Sequence, residues 1–348
     1  MRNNNKAAPL SIQPSIQRRF VPEAQDRARV PVAFITGFLG AGKTTLINAL
    51  LRHADMADTM VAVNEFGAVA LDQHLIESSE GDVLVLANGC LCCNLAGDAE
   101  GAMLRLFARR EQGAIRPFRR LLIEPSGLAD PAPLAQSVLR NPLMARHMRL
   151  SGIVAVIDAL FGLRHLDAQA ECAAQIGLAD RIALTKTDLA DPAALCDRLT
   201  ALNPLAPQVI VQHGVVDPAA LFAADWLDPE LPAAPELPRA WRRAAGAHAD
   251  ATEALILTHD APLDWTTLEP FLRGIRLRHA EALLRLKGLV AIDAPGPLLL
   301  QGVHHVLHPP VALNAWPDDD HSTRLVLILR GIDPAPIRAA WAEFLSNL

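Results

Sequence analysis

The stretch Val32-Ala33-Phe34-Ile35-Thr36-Gly37-Phe38-Leu39-Gly40-Ala41-Gly42-Lys43-Thr44-Thr45 decides the reading of the whole chain. Its first five residues form an apolar, β-branched run of strand length, and its end opens a helix-length amphipathic segment. Between the two, Gly37–Thr44 fits G-x-x-x-x-G-K-[ST] in the strand-to-helix context that this pattern requires. Glycines let successive backbone N–H groups close around phosphate oxygens, and the positive end of the following helix favours anions. Gly37, Gly40, Ala41, Gly42 and Thr45 are therefore expected in the phosphate cradle. Lys43 is expected to reach the β- and γ-phosphates, and Thr44 to ligate Mg2+. At ordinary glycine frequency the bare pattern arises by chance in about one chain of this length in a hundred, so its flanks carry much of the weight.

Outward from this loop, short β-branched runs alternate with helix-length segments up to about residue 212. The runs are Val32–Thr36, Met60–Val63, Val83–Leu86, Leu121–Glu124, Ile153–Asp158, Ile182–Thr185 and Val209–Val211. Several are apolar without alternation, as expected of parallel strands covered on both faces. The pattern predicts an α/β fold: a doubly wound, mostly parallel sheet of P-loop NTPase type. Asp-Pro recurs at Asp130-Pro131, Asp191-Pro192, Asp217-Pro218 and Asp333-Pro334, each before an Ala/Leu-rich stretch. Asp accepts orphan backbone N–H groups as an N-cap and Pro fits the first helical turn, so four helix starts are predicted there.

Near Trp226 the composition turns to Pro, Ala and Arg without period. The predicted division is an N-terminal extension over 1–29, a nucleotide-binding domain over 30–225, a linker over 226–250 and a smaller α+β domain over 251–348. In the last, strands are expected at Ala254–Thr258, Leu289–Ile292, Leu298–Val303 and Leu325–Leu329, with helices around Trp265–Arg273 and Pro334–Leu345.

Two further segments complete a nucleotide site. Leu121-Leu122-Ile123-Glu124-Pro125-Ser126-Gly127 places Glu124 at a buried strand end, where a carboxylate holds Mg2+ through water, and Gly127 where its N–H can meet a γ-phosphate. Thr185-Lys186-Thr187-Asp188 is a variant of the NKxD guanine motif. Asp188 can accept from guanine N1–H and the exocyclic amine, a donor pair adenine lacks, and Lys186 can lay its stem along the ring. GTP is thus preferred over ATP. Thr185 replaces the usual Asn and removes an amide that would brace base and loop.

Asn88-Gly89-Cys90-Leu91-Cys92-Cys93-Asn94 follows a predicted strand. Thiolates select Zn2+, Cu+ or a similar ion, and three leave one tetrahedral position open, which suits exchangeable binding better than a structural staple. Cys172 and Cys196 fall on predicted helices and read as packing residues. His304, His305, His308 and His321 lie close enough in sequence to bind metal but read more simply as surface or structural histidines.

Composition narrows the partners. The 348 residues are 51% hydrophobic and 20% charged, with a formal charge of -6, which disfavours a nucleic-acid binder. Neither a secretory pattern in the first 29 residues nor an apolar run of membrane-spanning length is evident, so a cytoplasmic protein without membrane association is expected. Five cysteines, three of them within four positions, indicate metal or redox chemistry in a reducing compartment rather than a disulfide framework.

These residues resemble the CobW-type metallochaperone GTPases. The likeness rests on Gly37–Thr45, Asn64-Glu65-Phe66-Gly67, the C-x-C-C run, Glu124-Pro125-Ser126-Gly127-Leu128-Ala129-Asp130-Pro131 and Thr185–Asp188. In the second half it rests on Leu284-Arg285-Leu286-Lys287-Gly288 and Gln301-Gly302-Val303. The resemblance implies slow GTP hydrolysis and delivery of zinc, cobalt or a similar ion to a client metalloprotein or cobalt-insertion machinery, with a homo-oligomer allowed. The chain departs from the pattern at Ala68, where an acidic residue is usual, and at Ala70, where glycine is common. Residues 64–72 and 126–127 are expected to act as switches around the γ-phosphate, with Asp72 a candidate Mg2+-binding or water-positioning residue and Glu65 a candidate extra metal ligand. Competing readings are a P-loop kinase or ligase acting on a small molecule, and a metal-storage protein stabilised by nucleotide.

Overall fold

A computed structural model describes residues 28–63, 83–85, 96–127, 129–222 and 252–348. Seven strands form the first sheet: β1 (Val30–Gly37), β2 (Thr59–Val63), β3 (Val83–Val85), β4 (Arg120–Glu124), β5 (Met148–Asp158), β6 (Arg181–Thr185) and β7 (Gln208–Ile210). Their order is β3-β2-β4-β1-β5-β6-β7, and every pairing is parallel. Each expected strand of this half falls on one of them, although β5 begins at Met148 rather than Ile153.

The connecting helices are α1 (Lys43–Leu51), α2 (Ala96–Glu111), α3 (Ala132–Arg140), α4 (Pro142–His147), α5 (Gly162–Ala168), α6 (Ala170–Leu178), α7 (Ala193–Leu202) and α8 (Pro218–Phe222). Successive β1 residues face opposite sides of the sheet. Val32 and Phe34 join a core with α2, α3 and α6, whereas Ala33 and Ile35 join one with Leu46, Ile47 and Leu50 of α1. The sheet is therefore buried on both faces, which is why its strands read as apolar runs.

The second sheet contains β8 (Thr252–His259), β9 (Leu283–Val290), β10 (Leu298–Val303), β11 (Val306–Leu307), β12 (Val311–Ala312) and β13 (Thr323–Arg330). Its order is β11-β10-β9-β13-β8, with β12 on β10, and all pairings are antiparallel. Helices α9 (Trp265–Arg278) and α10 (Ala335–Ser346) cover one face. The other face joins the first domain: Ala254, Leu284, Val303, Val326 and Ile328 share a core with α3 and with Ala174 and Leu178 of α6.

One expectation needs correction. The strand predicted at Leu289–Ile292 runs instead over Leu283–Val290. Arg285 and Lys287 interrupt its apolar pattern, yet both are buried, because a carboxylate of the first domain meets them. The expected linker over 226–250 and nearly all of the N-terminal extension lie outside the described residues.

Candidate functional site

β1, β4, β5 and β6 end together at one edge of the sheet: Gly37 pairs with Val156 and Asp158 with Thr185 in register. In open α/β sheets this carboxyl edge is where ligands bind. Gly37 turns the chain out of β1 at φ 141, and a Cβ there would stand 2.2 Å from the Val156 carbonyl oxygen. Only glycine fits that approach. Gly42, at φ 97, is the N-cap of α1, and the Leu46 N–H donates to its carbonyl at 3.0 Å, so the helix begins directly beneath the loop.

Lys43 lies on the first turn of α1 and folds back over the loop. Its Nζ donates to the carbonyls of Gly37 at 2.9 Å and Phe38 at 3.1 Å. Thr44 is half-buried beside it, Thr45 is exposed, and Ala41 is buried within the loop. Glu124 terminates β4, the neighbour of β1, and is 7% exposed. A half-buried hydroxyl at a helix start and a carboxylate at the adjacent strand end form an oxygen donor set suited to Mg2+.

The loop is tied to the segment after β6. Thr185 Oγ1 donates to the Ala41 carbonyl at 2.7 Å, so the hydroxyl itself braces the phosphate loop where the Asn amide is missing. Lys186 adopts φ 54, and its Nζ donates to the Gly40 carbonyl at 2.8 Å. The same ammonium lies 3.8 Å from Asp158 Oδ2. Asp158 is buried, and its Oδ1 accepts the Phe161 N–H at 2.7 Å, which fixes the carboxylate facing Lys186. Asp188 is exposed at the edge of this loop. Sequence reasoning placed Asp158 only within a strand. The signal was present as an acidic residue closing an apolar run, the same cue that singled out Glu124.

The metal candidates Cys90, Cys92, Cys93 and Glu65 lie outside the described residues, as do Asp72 and most of the expected switch over 64–72. In sequence the thiols follow β3, which runs parallel to β2 in the sheet that carries the phosphate loop. Among the described residues no group of three His, Cys, Asp or Glu side chains is placed to hold a metal. Cys172 is 3% exposed, and burial, with Asp158 nearby, pushes its thiol up to about 12, which makes it a packing residue. His321 stacks on Trp316 at 5.1 Å, and His304 is buried.

Fold and loop together define a P-loop nucleotide-binding protein with a second, antiparallel domain. Residues 31–209 match the CobW/HypB/UreG nucleotide-binding domain and residues 252–345 the cobalamin synthesis protein cobW C-terminal domain. The chain belongs to the CobW/HypB/UreG family. It is 34% identical over 315 residues to the zinc chaperone YjiA of Escherichia coli (strain K12), spanning 90% of this chain and 98% of that one. It is 30% identical over 354 residues to the zinc chaperone CobW of Sinorhizobium sp, spanning 90% and 97%. The crystal structure of the Zn(II)-bound YjiA GTPase from E. coli superposes with a TM-score of 0.69 at 28% identity, covering 91% of this chain and 99% of that one. Among the described residues no helix is long and apolar enough to cross a membrane.

Proposed function

We propose that the protein hydrolyses GTP and uses the cycle to control a zinc ion carried on Cys90, Cys92 and Cys93 for delivery to a client protein. The observation that carries the nucleotide half is the tie between the phosphate loop and the Thr185–Asp188 segment. Through Thr185 and Lys186 the phosphate end and the base end of the pocket form one hydrogen-bonded unit. Asp188 selects guanine by accepting two N–H groups, and Lys186, held by Asp158 and the Gly40 carbonyl, covers the ring. Loop N–H groups from Gly40 to Thr45 bind the phosphates. Lys43 exchanges its two carbonyl partners for β- and γ-phosphate oxygens, so its charge is oriented before nucleotide arrives.

Mg2+, when bound, neutralises charge developing on the β- and γ-oxygens, and Thr44 with Glu124 through water would hold it. Gly127 offers its N–H to the γ-phosphate, and Asp72 is assigned to positioning water. Zinc is cargo: three thiolates with Glu65 or a client ligand complete four donors, and an open position favours exchange over storage. The names of the relatives support zinc; cobalt fits the same donors. The direct test of the nucleotide reading is competition binding and phosphate release with Mg2+. GTP is expected to bind and turn over in preference to ATP, with Lys43→Ala abolishing turnover. Equal use of ATP, or phosphoryl transfer to an added metabolite without hydrolysis, would overturn it.

A further inference from the structure

Helix α6 joins the two halves of the molecule at atomic contact distance on both sides. On the nucleotide side, Gln175 is 2% exposed and its Nε2 donates to the carbonyls of Gly127 and Ala129, each at 3.2 Å. Its buried Oε1 has no partner among the described residues. Gly127 lies against the phosphate loop, since a Cβ on it would stand 2.7 Å from Leu39 Cδ2 and 3.1 Å from the Leu39 nitrogen. Two residues beyond Gln175, Gly177 faces the second sheet. A Cβ there would stand 2.8 Å from Leu284 Cδ1 and 3.2 Å from both Ile328 Cγ2 and Thr252 Cγ2. Those three side chains belong to β9, β13 and β8.

The end of α6 is clamped. Asn203 Nδ2 donates to the carbonyls of Ile176 at 2.7 Å and Ala179 at 3.0 Å. Asp180 follows at once, with Oδ2 accepting the Ile153 N–H of β5 at 2.9 Å and Oδ1 accepting Arg285 at 2.5 Å, with Lys287 on the same oxygen. A helix packed this closely and pinned at its end cannot absorb a displacement internally. The Gly127 segment and the second sheet therefore contact the same short helix on its two sides.

We propose that Gln175 is a positioning residue for the nucleotide reaction, and that α6 links the seat of the second domain to the presence of a third phosphoryl group. The proposal rests on the assignment of Gly127 to the γ-phosphate. Linkage then requires a change at the α6–sheet contact to alter the preference for triphosphate over diphosphate.

The test uses the full chain with Mg2+, GDP and a non-hydrolysable GTP analogue. Gly177→Ala adds a Cβ whose three nearest neighbours all belong to the second domain, and Gln175→Leu removes the amide. Each is expected to change the ratio of analogue to GDP affinity by at least about fivefold, the lower end of typical coupling. The double variant should match Gln175→Leu alone, because both act along one path. Unchanged ratios in variants that fold, judged by circular dichroism and gel filtration, overturn the relay, as do effects that simply multiply. If Gly177→Ala does not fold, hydrogen exchange decides. Wild type should show an analogue-against-GDP difference over Leu283–Val290 that vanishes in Gln175→Leu, and persistence of that difference overturns the relay. Wild type that binds neither nucleotide overturns the GTPase reading first and the relay with it, whereas normal wild-type binding with inert variants sinks the relay alone.

Discussion

At position 185 a hydroxyl stands where NKxD motifs carry an amide, and it finds the Ala41 carbonyl at 2.7 Å. The brace to the phosphate loop is thereby kept with a shorter side chain. Thr185→Ala leaves that buried carbonyl without its donor, at a cost of about 1 kcal/mol, or roughly fivefold in affinity. Calorimetric titration should show the same factor for GTP and GDP, because the brace acts on the loop common to both; a loss confined to GTP would contradict this role. The sequence displayed the substitution but not its partner, since Ala41 and Thr185 are joined only by the folding of β1 against β5 and β6. For the same reason Gln175 was silent, and Asp158 showed only as an acidic residue closing an apolar run. Their roles come from what they face, and no spacing rule records it.

Helix starts were legible at the scale of elements because Asp-Pro is a local device. All four expected caps form: Asp130, Asp191, Asp217 and Asp333 each accept the N–H two residues on, at 2.8, 3.0, 2.8 and 2.8 Å. Asp333→Ala should lower stability by about 1 kcal/mol in urea denaturation, with hydrogen exchange speeding first in the opening turn of α10. No change in either measurement would mean that packing of Ile337 and Trp341 alone sets that helix start. Parallel strands were legible because burial on both faces writes them as apolar runs. β9 was misplaced because its charges answer a partner about a hundred positions earlier, Asp180, and alternation within the strand carries no trace of that.

At the scale of the molecule, Asp180 is the ionic joint between the domains. Burial alone would raise its carboxyl, but the charges of Arg285 and Lys287 outweigh burial and hold it well below the usual carboxylate range. Burial also pulls Lys287 down to about 8, against the pull of the Asp180 carboxylate. Asp180→Asn removes the anion that faces two buried basic side chains, Arg285 and Lys287, and should destabilise by roughly 3–5 kcal/mol in urea denaturation. Because the folded pKa of Asp180 lies below its unfolded value of about 3.9, its contribution is complete above about pH 4 and is lost as pH falls further. The gap between wild type and Asp180→Asn should therefore narrow below pH 4; a gap that stays constant to lower pH would contradict this assignment. The proposed function turns on nucleotide state governing metal. Titration of the reduced protein with zinc in the presence of Mg-GTP analogue, Mg-GDP or no nucleotide tests it most directly. Zinc affinities should differ by about 5–150-fold between the triphosphate and diphosphate forms, and the difference should be lost on Cys92→Ala. Identical affinities in all three states would contradict it.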